Sequence, residues 1–312
     1  MSYGRRAFPL LVLAAVACSG SDAFTPHPTA SVREQPAKKY TMLLGNSLSF
    51  GFQPDKDVFN PAQFNTGFGT LFVERLNARV GRPRAIEVNL ACPGETTETF
   101  VVGGCFYTDL FGLPLHTYYT GPQLEAAVAF LKAHPGQVNP IILAIGVNEL
   151  YRPYLLDCQG DESCVTERIP KAIQSVTDNY DIILSRLREL APQARLLILV
   201  EYRFPRFPES FNDGLAAIFE RIRVAGAAYG AILVETDPII QSDQCAMLFV
   251  CRENADIHPT DSGYRALSDA LWAAFRRPLR ERGSLVVDPN AGLPEPGPSG
   301  ESDRGSDTES LR

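Results

Sequence analysis

Tyr40-Thr41-Met42-Leu43-Leu44-Gly45-Asn46-Ser47-Leu48 sets the reading of this chain. The apolar run from Tyr40 to Leu44 reads as a buried strand, and Ser47 stands just beyond its end. Toward the other terminus, Asp256-Ile257-His258-Pro259 puts a His in a loop ahead of an apolar-periodic helix. A Ser hydroxyl is a weak nucleophile until a base takes its proton, so the two residues matter as a pair. A strand-to-helix turn that exposes the hydroxyl, met by an imidazole from the end of the fold, is what nucleophilic acyl transfer requires. Either residue alone has a plainer use. A Ser after a strand is commonly a helix N-cap, and a lone His is commonly structural. The chain has only four His, however. His27 falls in a Pro-rich tether, His134 in the turn Ala133-His134-Pro135-Gly136 and His116 in an aromatic loop. His258 is therefore the leading base and His116 the alternative.

Outward from that first strand, strand-like and helix-like patterns alternate. The strand candidates are Tyr40–Gly45, Ala85–Leu90, Ile141–Ile145, Arg195–Val200 and Ala231–Glu235. The helix candidates are Gly67–Val80, Gly121–His134, Val165–Ala191, Phe211–Tyr229 and Thr260–Arg276. Such alternation implies an α/β fold, a parallel sheet covered by helices on both faces. Thr260 or Asp261 is expected to cap the last helix, which makes Asp261 a structural acid. Pro205 and Pro208, with Arg203 and Arg206, read as a rigid, solvated surface loop.

Two further segments carry chemistry. Val88-Asn89-Leu90-Ala91-Cys92-Pro93-Gly94-Glu95-Thr96-Thr97 ends the second strand with a Gly in a turn. Ile141 to Ile145, followed by Gly146-Val147-Asn148-Glu149, ends the third with an Asn. The tetrahedral intermediate of acyl transfer carries an oxyanion, and preorganised donors around it are commonly the largest catalytic contribution. Gly94 has no side chain, so its amide can approach closely while φ stays free. Asn148 offers an uncharged amide. Ser47, Gly94 and Asn148 all stand at carboxyl ends of strand candidates, where open α/β sheets hold their ligands.

In order along the chain, Gly45-Asn46-Ser47-Leu48, the Gly94 turn, Asn148 and Asp256-Ile257-His258 resemble the four blocks of the SGNH (GDSL-type) serine esterases. The likeness runs from about Tyr40 to Arg277 and is greatest to secreted bacterial members with a Cys-Pro-Gly-Glu-Thr-Thr run. The resemblance implies a flavodoxin-like three-layer α/β/α sandwich with a five-stranded parallel sheet in the order 2-1-3-4-5. It implies Ser47 as nucleophile and, through its N–H, first oxyanion donor. Gly94 would donate its N–H and Asn148 its side-chain amide, while His258 would serve as general base and then acid.

Three positions depart from the family pattern. Asn46 stands where Asp is usual, which keeps size and hydrogen bonding but loses the charge. Glu149 stands where Asp is usual. The family acid normally lies three residues before the His, a position that is Ala255 here, whereas Asp256 lies two before. In an extended segment, residues i and i+2 point the same way, so Asp256 is expected to orient the His258 imidazole. A backbone carbonyl is the alternative partner, which would leave a Ser–His dyad.

Arg5-Arg6 precede the apolar run Ala7 to Ala17, which ends in Ala15-Val16-Ala17 before Cys18. Residues 1–17 therefore read as an export signal, too short to span a membrane. The Cys in that position resembles a bacterial lipoprotein signal, so Cys18 is expected to carry lipid, with ordinary cleavage as the alternative. Setting Cys18 aside leaves six of the seven Cys, an even set that suits disulfides in an exported chain. Six Cys allow 15 pairings. The nearest-neighbour set Cys92–Cys105, Cys158–Cys164 and Cys245–Cys251 is the simplest. No C-x-x-C is present and the His are scattered, so no metal site is expected. Residues 18–39 read as a tether, 40–283 as one hydrolase domain and 284–312 as a disordered tail rich in Pro, Gly, Ser and acids. A net charge of −7 argues against a nucleic-acid partner. A membrane enters only through the lipid at Cys18.

Phe50, Phe52, Phe64, Phe68 and Phe72 follow Ser47, and the stretch Gly103–Gly121 carries Phe106, Tyr107, Phe111, Tyr118 and Tyr119. Core packing accounts for most such aromatics, but a long irregular loop is often functional. This one starts just after Gly94 and is placed to wall an acyl chain. The expectation is an exported serine hydrolase, esterase or lipase, that cleaves small carboxylic esters through an acyl-enzyme without metal or cofactor. The alternatives are a carbohydrate O-acetyl esterase and a non-catalytic surface lipoprotein that keeps the fold for binding.

Overall fold

Strands buried on both faces need near-continuous apolar sequence, and three segments of this chain supply it. In the computed structural model, residues 38–80, 84–204, 206–253 and 255–277 are described. Cys18, His27, Pro205 and the segments expected to be an export signal (1–17), most of a tether (18–37) and a tail (284–312) lie outside them. The strands are β1 (Tyr40–Gly45), β2 (Ile86–Asn89), β3 (Val138–Ala144), β4 (Leu196–Val200) and β5 (Ile232–Glu235). They form one all-parallel sheet in the order β2-β1-β3-β4-β5, the order the resemblance implies. Central β3 and β4 are buried along their whole length, while the edge strands β2 and β5 are partly exposed.

Eleven helices are described: α1 (Ser47–Phe50), α2 (Phe68–Val80), α3 (Thr97–Val102), α4 (Phe106–Phe111), α5 (Gln123–Ala133), α6 (Asn148–Leu156), α7 (Glu162–Leu190), α8 (Glu209–Ala228), α9 (Asp237–Ser242), α10 (Gln244–Met247) and α11 (Asp261–Arg276). Alternate strand residues face opposite sides. Leu43, Ile142 and Leu197 stand in register and face α2 and α11. Gly69 of α2 lies so near Leu43 that a Cβ there would fall 2.0 Å from its Cδ1. Leu44, Leu143 and Ile198 face the other layer, where α5, α7 and α8 pack together. The three layers are thus α2/α11, the sheet, and α5/α7/α8.

All five expected strands and all five expected long helices are present; β1 has the expected ends and the others shift at one or both. β3 starts at Val138 rather than Ile141, because Pro140 lies inside it and reads in sequence as a break. α7 starts at Glu162 rather than Val165, because the Asp161 carboxylate accepts from the Cys164 N–H and caps the helix early. Thr260 caps α11 through the Gly263 N–H at 3.2 Å, while Asp261 accepts from Gln53 Nε2 at 2.9 Å. The stretch Gly103–Gly121, expected to be irregular, contains α4. The short helices α3, α6, α9 and α10 were not foreseen, and α6 carries Pro153 in its interior.

The disulfides are Cys92–Cys105, Cys158–Cys164 and Cys245–Cys251, the nearest-neighbour set. Glu95 lies near the first pair, but sulfurs bonded to each other leave no thiolate for a metal. The first and third bridges flank the Gly94 turn and the segment packed against His258. Replacing both Cys92 and Cys105 by Ser is expected to cost about 2–4 kcal/mol in urea unfolding. Peptide mapping without reduction should return the three pairs above and no crossed pair.

Candidate active site

β1 leaves the sheet at Gly45, whose φ is 116°. A Cβ here would lie 1.9 Å from the Ala144 carbonyl oxygen, so the sharp exit requires glycine. Gln123, at the start of α5, fixes this turn from the side. It accepts from the Gly45 N–H at 2.6 Å and donates to the Gly45 carbonyl at 3.0 Å. Asn46 then caps α1 by accepting from the Leu48 N–H at 3.0 Å. Ser47 is consequently the first residue of a helical turn, half-buried, with its hydroxyl turned into a cavity.

His258 arrives from a loop pinned by backbone bonds. Leu248 and Pro259 form an antiparallel bridge, and the Phe249 N–H donates to the His258 carbonyl at 3.0 Å. The Tyr202 hydroxyl holds the Ile257 carbonyl at 2.8 Å. The imidazole Nε2 lies 2.8 Å from Ser47 Oγ, and Nδ1 lies 2.6 Å from Asp256 Oδ1. That same oxygen accepts from the His258 backbone N–H at 2.8 Å. An ionised carboxylate only accepts, so Nδ1 carries the proton and Nε2 presents its lone pair to the Ser47 hydroxyl. Burial pushes the Asp256 carboxyl up, but the His258 imidazole outweighs it and holds the group below its usual range. The side chain at position 256 thus meets the imidazole from two residues away, but through an Asx-type turn with bends at 257 and 258 where an extended segment was expected. Ala255 is exposed.

His116 has another task. Its Nε2 bonds the Phe50 carbonyl at 2.9 Å, its ring lies 4.4 Å from the Phe50 ring, and burial lowers its pKa. Imidazole packing of this kind is structural.

Across the cavity, Gly94 turns with φ 79°, and a Cβ there would meet the Phe106 ring at 2.7 Å. Asn148, buried at the start of α6, donates one amide hydrogen to the Glu95 carbonyl at 2.9 Å. The second amide hydrogen remains for a ligand. Ser47, Gly94, Asn148 and His258 all line one cavity of about 470 Å³. Its remaining wall is largely apolar, with Phe52, Phe106, Tyr107, Phe111, Leu155 and Leu156 among the contributors. Phe106, Tyr107 and Phe111 come from the aromatic stretch after Gly94. Phe50, Phe64, Phe68 and Phe72 are instead buried in the interior.

Three buried carboxyls lie among these residues. Burial pushes Glu95 and Glu201 to about 7 and Glu149 to about 8. Glu149 accepts from the Thr97 N–H, and Glu95 accepts from Gln123 Nε2 at 3.0 Å. Glu201 and Gln123 were not foreseen. Glu201 had a signal, an acid directly after a fully apolar strand at the same sheet edge as Ser47. Gln123 had none.

The model of the GDSL-like lipase/acylhydrolase family matches residues 43–266. No curated protein matches the chain in sequence. Among solved structures, the extracellular lipase of Streptomyces rimosus is 14% identical with a TM-score of 0.52, over 76% of this chain and 100% of that one. Phospholipase A1 of Streptomyces albidoflavus is 16% identical with a TM-score of 0.51, over 76% and 99%. Acetylxylan esterase Axe2 of Geobacillus stearothermophilus is 13% identical with a TM-score of 0.53, over 80% and 100%. At these identities the likeness is one of fold.

The carboxyls make stability depend on pH. Glu95, Glu149 and Glu201 bind a proton more tightly folded than unfolded, since burial lifts them from 4.5 to about 7 or 8. Their contribution is complete below about 4.5 and is lost as pH rises through the folded values. Asp256 and Asp261, both lowered, work the other way and lose their contribution only in acid. Tm by calorimetry is therefore expected to be lower at pH 8.5 than at pH 5.5. Glu149→Gln should flatten that fall.

Proposed function

Because the chain belongs to the GDSL-like lipase/acylhydrolase family, we propose that it is an exported serine ester hydrolase that cleaves carboxylic esters through an acyl-enzyme. The observation that carries this reading is the run of contacts from Asp256 through His258 to Ser47, at 2.6 and 2.8 Å. In the first half-reaction Ser47 Oγ attacks the ester carbonyl carbon as His258 Nε2 takes its proton. The oxyanion is met by the Ser47 and Gly94 N–H groups and the Asn148 amide. The tetrahedral intermediate collapses, and the imidazolium gives its proton to the departing alkoxide. Water, deprotonated by His258, then attacks the acyl carbon and releases the carboxylic acid and Ser47. Asp256 stabilises the imidazolium in both halves. This cycle needs no metal or cofactor.

The apolar wall supports an aliphatic acyl group, since such a surface gains by covering methylene groups and offers little to a sugar. Three disulfides support export. Lipidation of Cys18 belongs to the same proposal, and detergent partitioning of wild type beside Cys18→Ser reads it directly.

An organophosphonate probe is expected to label wild type and leave Ser47→Ala unlabelled; equal labelling would sink the enzyme reading. On p-nitrophenyl esters from acetate to palmitate, kcat/KM should rise beyond acetate. A sharp preference for acetate, joined to release of acetate from acetylated xylan, would favour the carbohydrate esterase instead.

The individual roles separate kinetically. Asn148→Ala should lower kcat by roughly 10²–10³ with KM little changed. Asp256→Ala should lower kcat on the order of 10³–10⁴. A loss of only a few-fold at position 256 would establish a dyad oriented by the backbone.

A further inference from the structure

Glu201 stands one residue beyond β4 and is 2% exposed. Both of its carboxylate oxygens are engaged. Oε1 accepts from Asn46 Nδ2 at 2.7 Å, and Oε2 accepts from the Val147 N–H at 3.1 Å. Asn46 directly precedes Ser47, and Val147 directly precedes Asn148. One side chain from the end of β4 therefore spans the turn after β3 and reaches the turn after β1.

The direction of every bond in this chain is fixed. The Leu48 N–H occupies Asn46 Oδ1, so residue 46 can offer only its NH2 group to residue 201. The Val147 N–H donates as well, so residue 201 must accept on both sides. A carboxylate does this and a primary amide does not. An Asp at position 46 would set two carboxylates against each other at this distance, where both cannot ionise.

We infer that Glu201 is a positioning residue, which fixes the spacing between the Ser47 turn and the Asn148 turn and forms a matched acid–amide pair with Asn46. The inference rests on the esterase reading above. It accounts for an Asn directly before Ser47: with the carboxylate on the partner, the amide at position 46 supplies the N–H that Oε1 accepts. The pair is also exchangeable. In Asn46→Asp/Glu201→Gln, the carboxylate at position 46 accepts from the Leu48 N–H and from the new NH2 group. The new amide oxygen accepts from the Val147 N–H. Every bond is rebuilt with the polarity of one reversed.

The test compares wild type, Asn46→Asp, Glu201→Gln and the double variant by ester kinetics, thermal melting and the NMR signal of the Val147 amide. Each single variant is expected to lose roughly 5- to 150-fold in kcat with KM nearly constant, the effect of one buried polar group left unmet. The double variant should regain most of that loss. The Val147 amide should move in Glu201→Gln, where its acceptor changes from a carboxylate to an amide oxygen. Wild-type kcat in Glu201→Gln would overturn the inference. So would a double variant that melts normally yet is no faster than the slower single. A Val147 signal indifferent to Glu201→Gln would overturn it whatever the activity. Failure of the esterase reading would look different, as a wild type that neither turns over ester nor takes the phosphonate.

Discussion

A parallel sheet buried on both faces creates a difficulty at its carboxyl edge, and this site is built from the solution. Where the strands stop, the ladder stops, and buried N–H and C=O groups lose their partners away from water. Side chains replace or supplement them here, the Gly45 and Val200 carbonyls keeping backbone partners in the Cys92 and Thr236 N–H groups. Gln123 closes both backbone groups of Gly45, the Tyr180 hydroxyl takes the Ile145 carbonyl at 2.8 Å, and Glu201 takes the Val147 N–H. Asn89 accepts from the Ala91 N–H at 3.1 Å, and the Thr236 hydroxyl donates to the Val200 carbonyl at 2.8 Å. Each replacement also fixes a turn that carries Ser47, Gly94 or Asn148, or one beside them. Finishing the sheet and aligning the site are one task.

The position of the site follows from topology. Strand order reverses between β1 and β3, so the chain leaving β1 and the chain leaving β3 diverge and open a crevice. Ser47 and Asn148 begin the helices that follow these two strands, and Gly94 follows β2 beside them. His258 belongs to no strand end. It depends on the bridge between Leu248 and Pro259, with Cys245–Cys251 closing the supporting segment.

What was legible in the sequence was what local patterning encodes. Apolar runs such as Leu196 to Val200 mark strands because a strand covered on both faces favours apolar side chains on each. The spacing of Val165, Ala172, Val176, Tyr180 and Leu187 marks α7 because a helix must bury one side. Ser47, Gly94, Asn148 and His258 were readable because each follows or precedes such an element with a residue type out of keeping with it. The reach of Asp256 was not readable from strand geometry, since the chain bends there and the carboxylate reaches the ring through an Asx-type turn. The role of Gln123 was not, since its importance comes from packing α5 against the end of β1, a contact between distant segments. Helix α6 was hidden by Pro153, which reads as a stop, although its first turn carries Asn148. The partner of Asn46 was equally hidden, for Glu201 follows β4, a strand that is not a neighbour of β1 in the sheet.

Helix α7 runs for 29 residues and packs against α3, α5, α6 and α8. Two of those neighbours begin at site turns, α3 beside Gly94 and α6 at Asn148. Tyr180, in the middle of α7, also bonds the strand end just before Gly146. Local opening around Gly94 and Asn148 would have to peel away a helix that covers the central sheet. Amide hydrogens there should exchange with solvent only when the whole sheet opens, whereas the His258 loop, held by the Leu248–Pro259 bridge, the Tyr202 hydroxyl and the Cys245–Cys251 disulfide, has its own route to exchange. The two halves of the site thus differ in how tightly they are coupled to global unfolding.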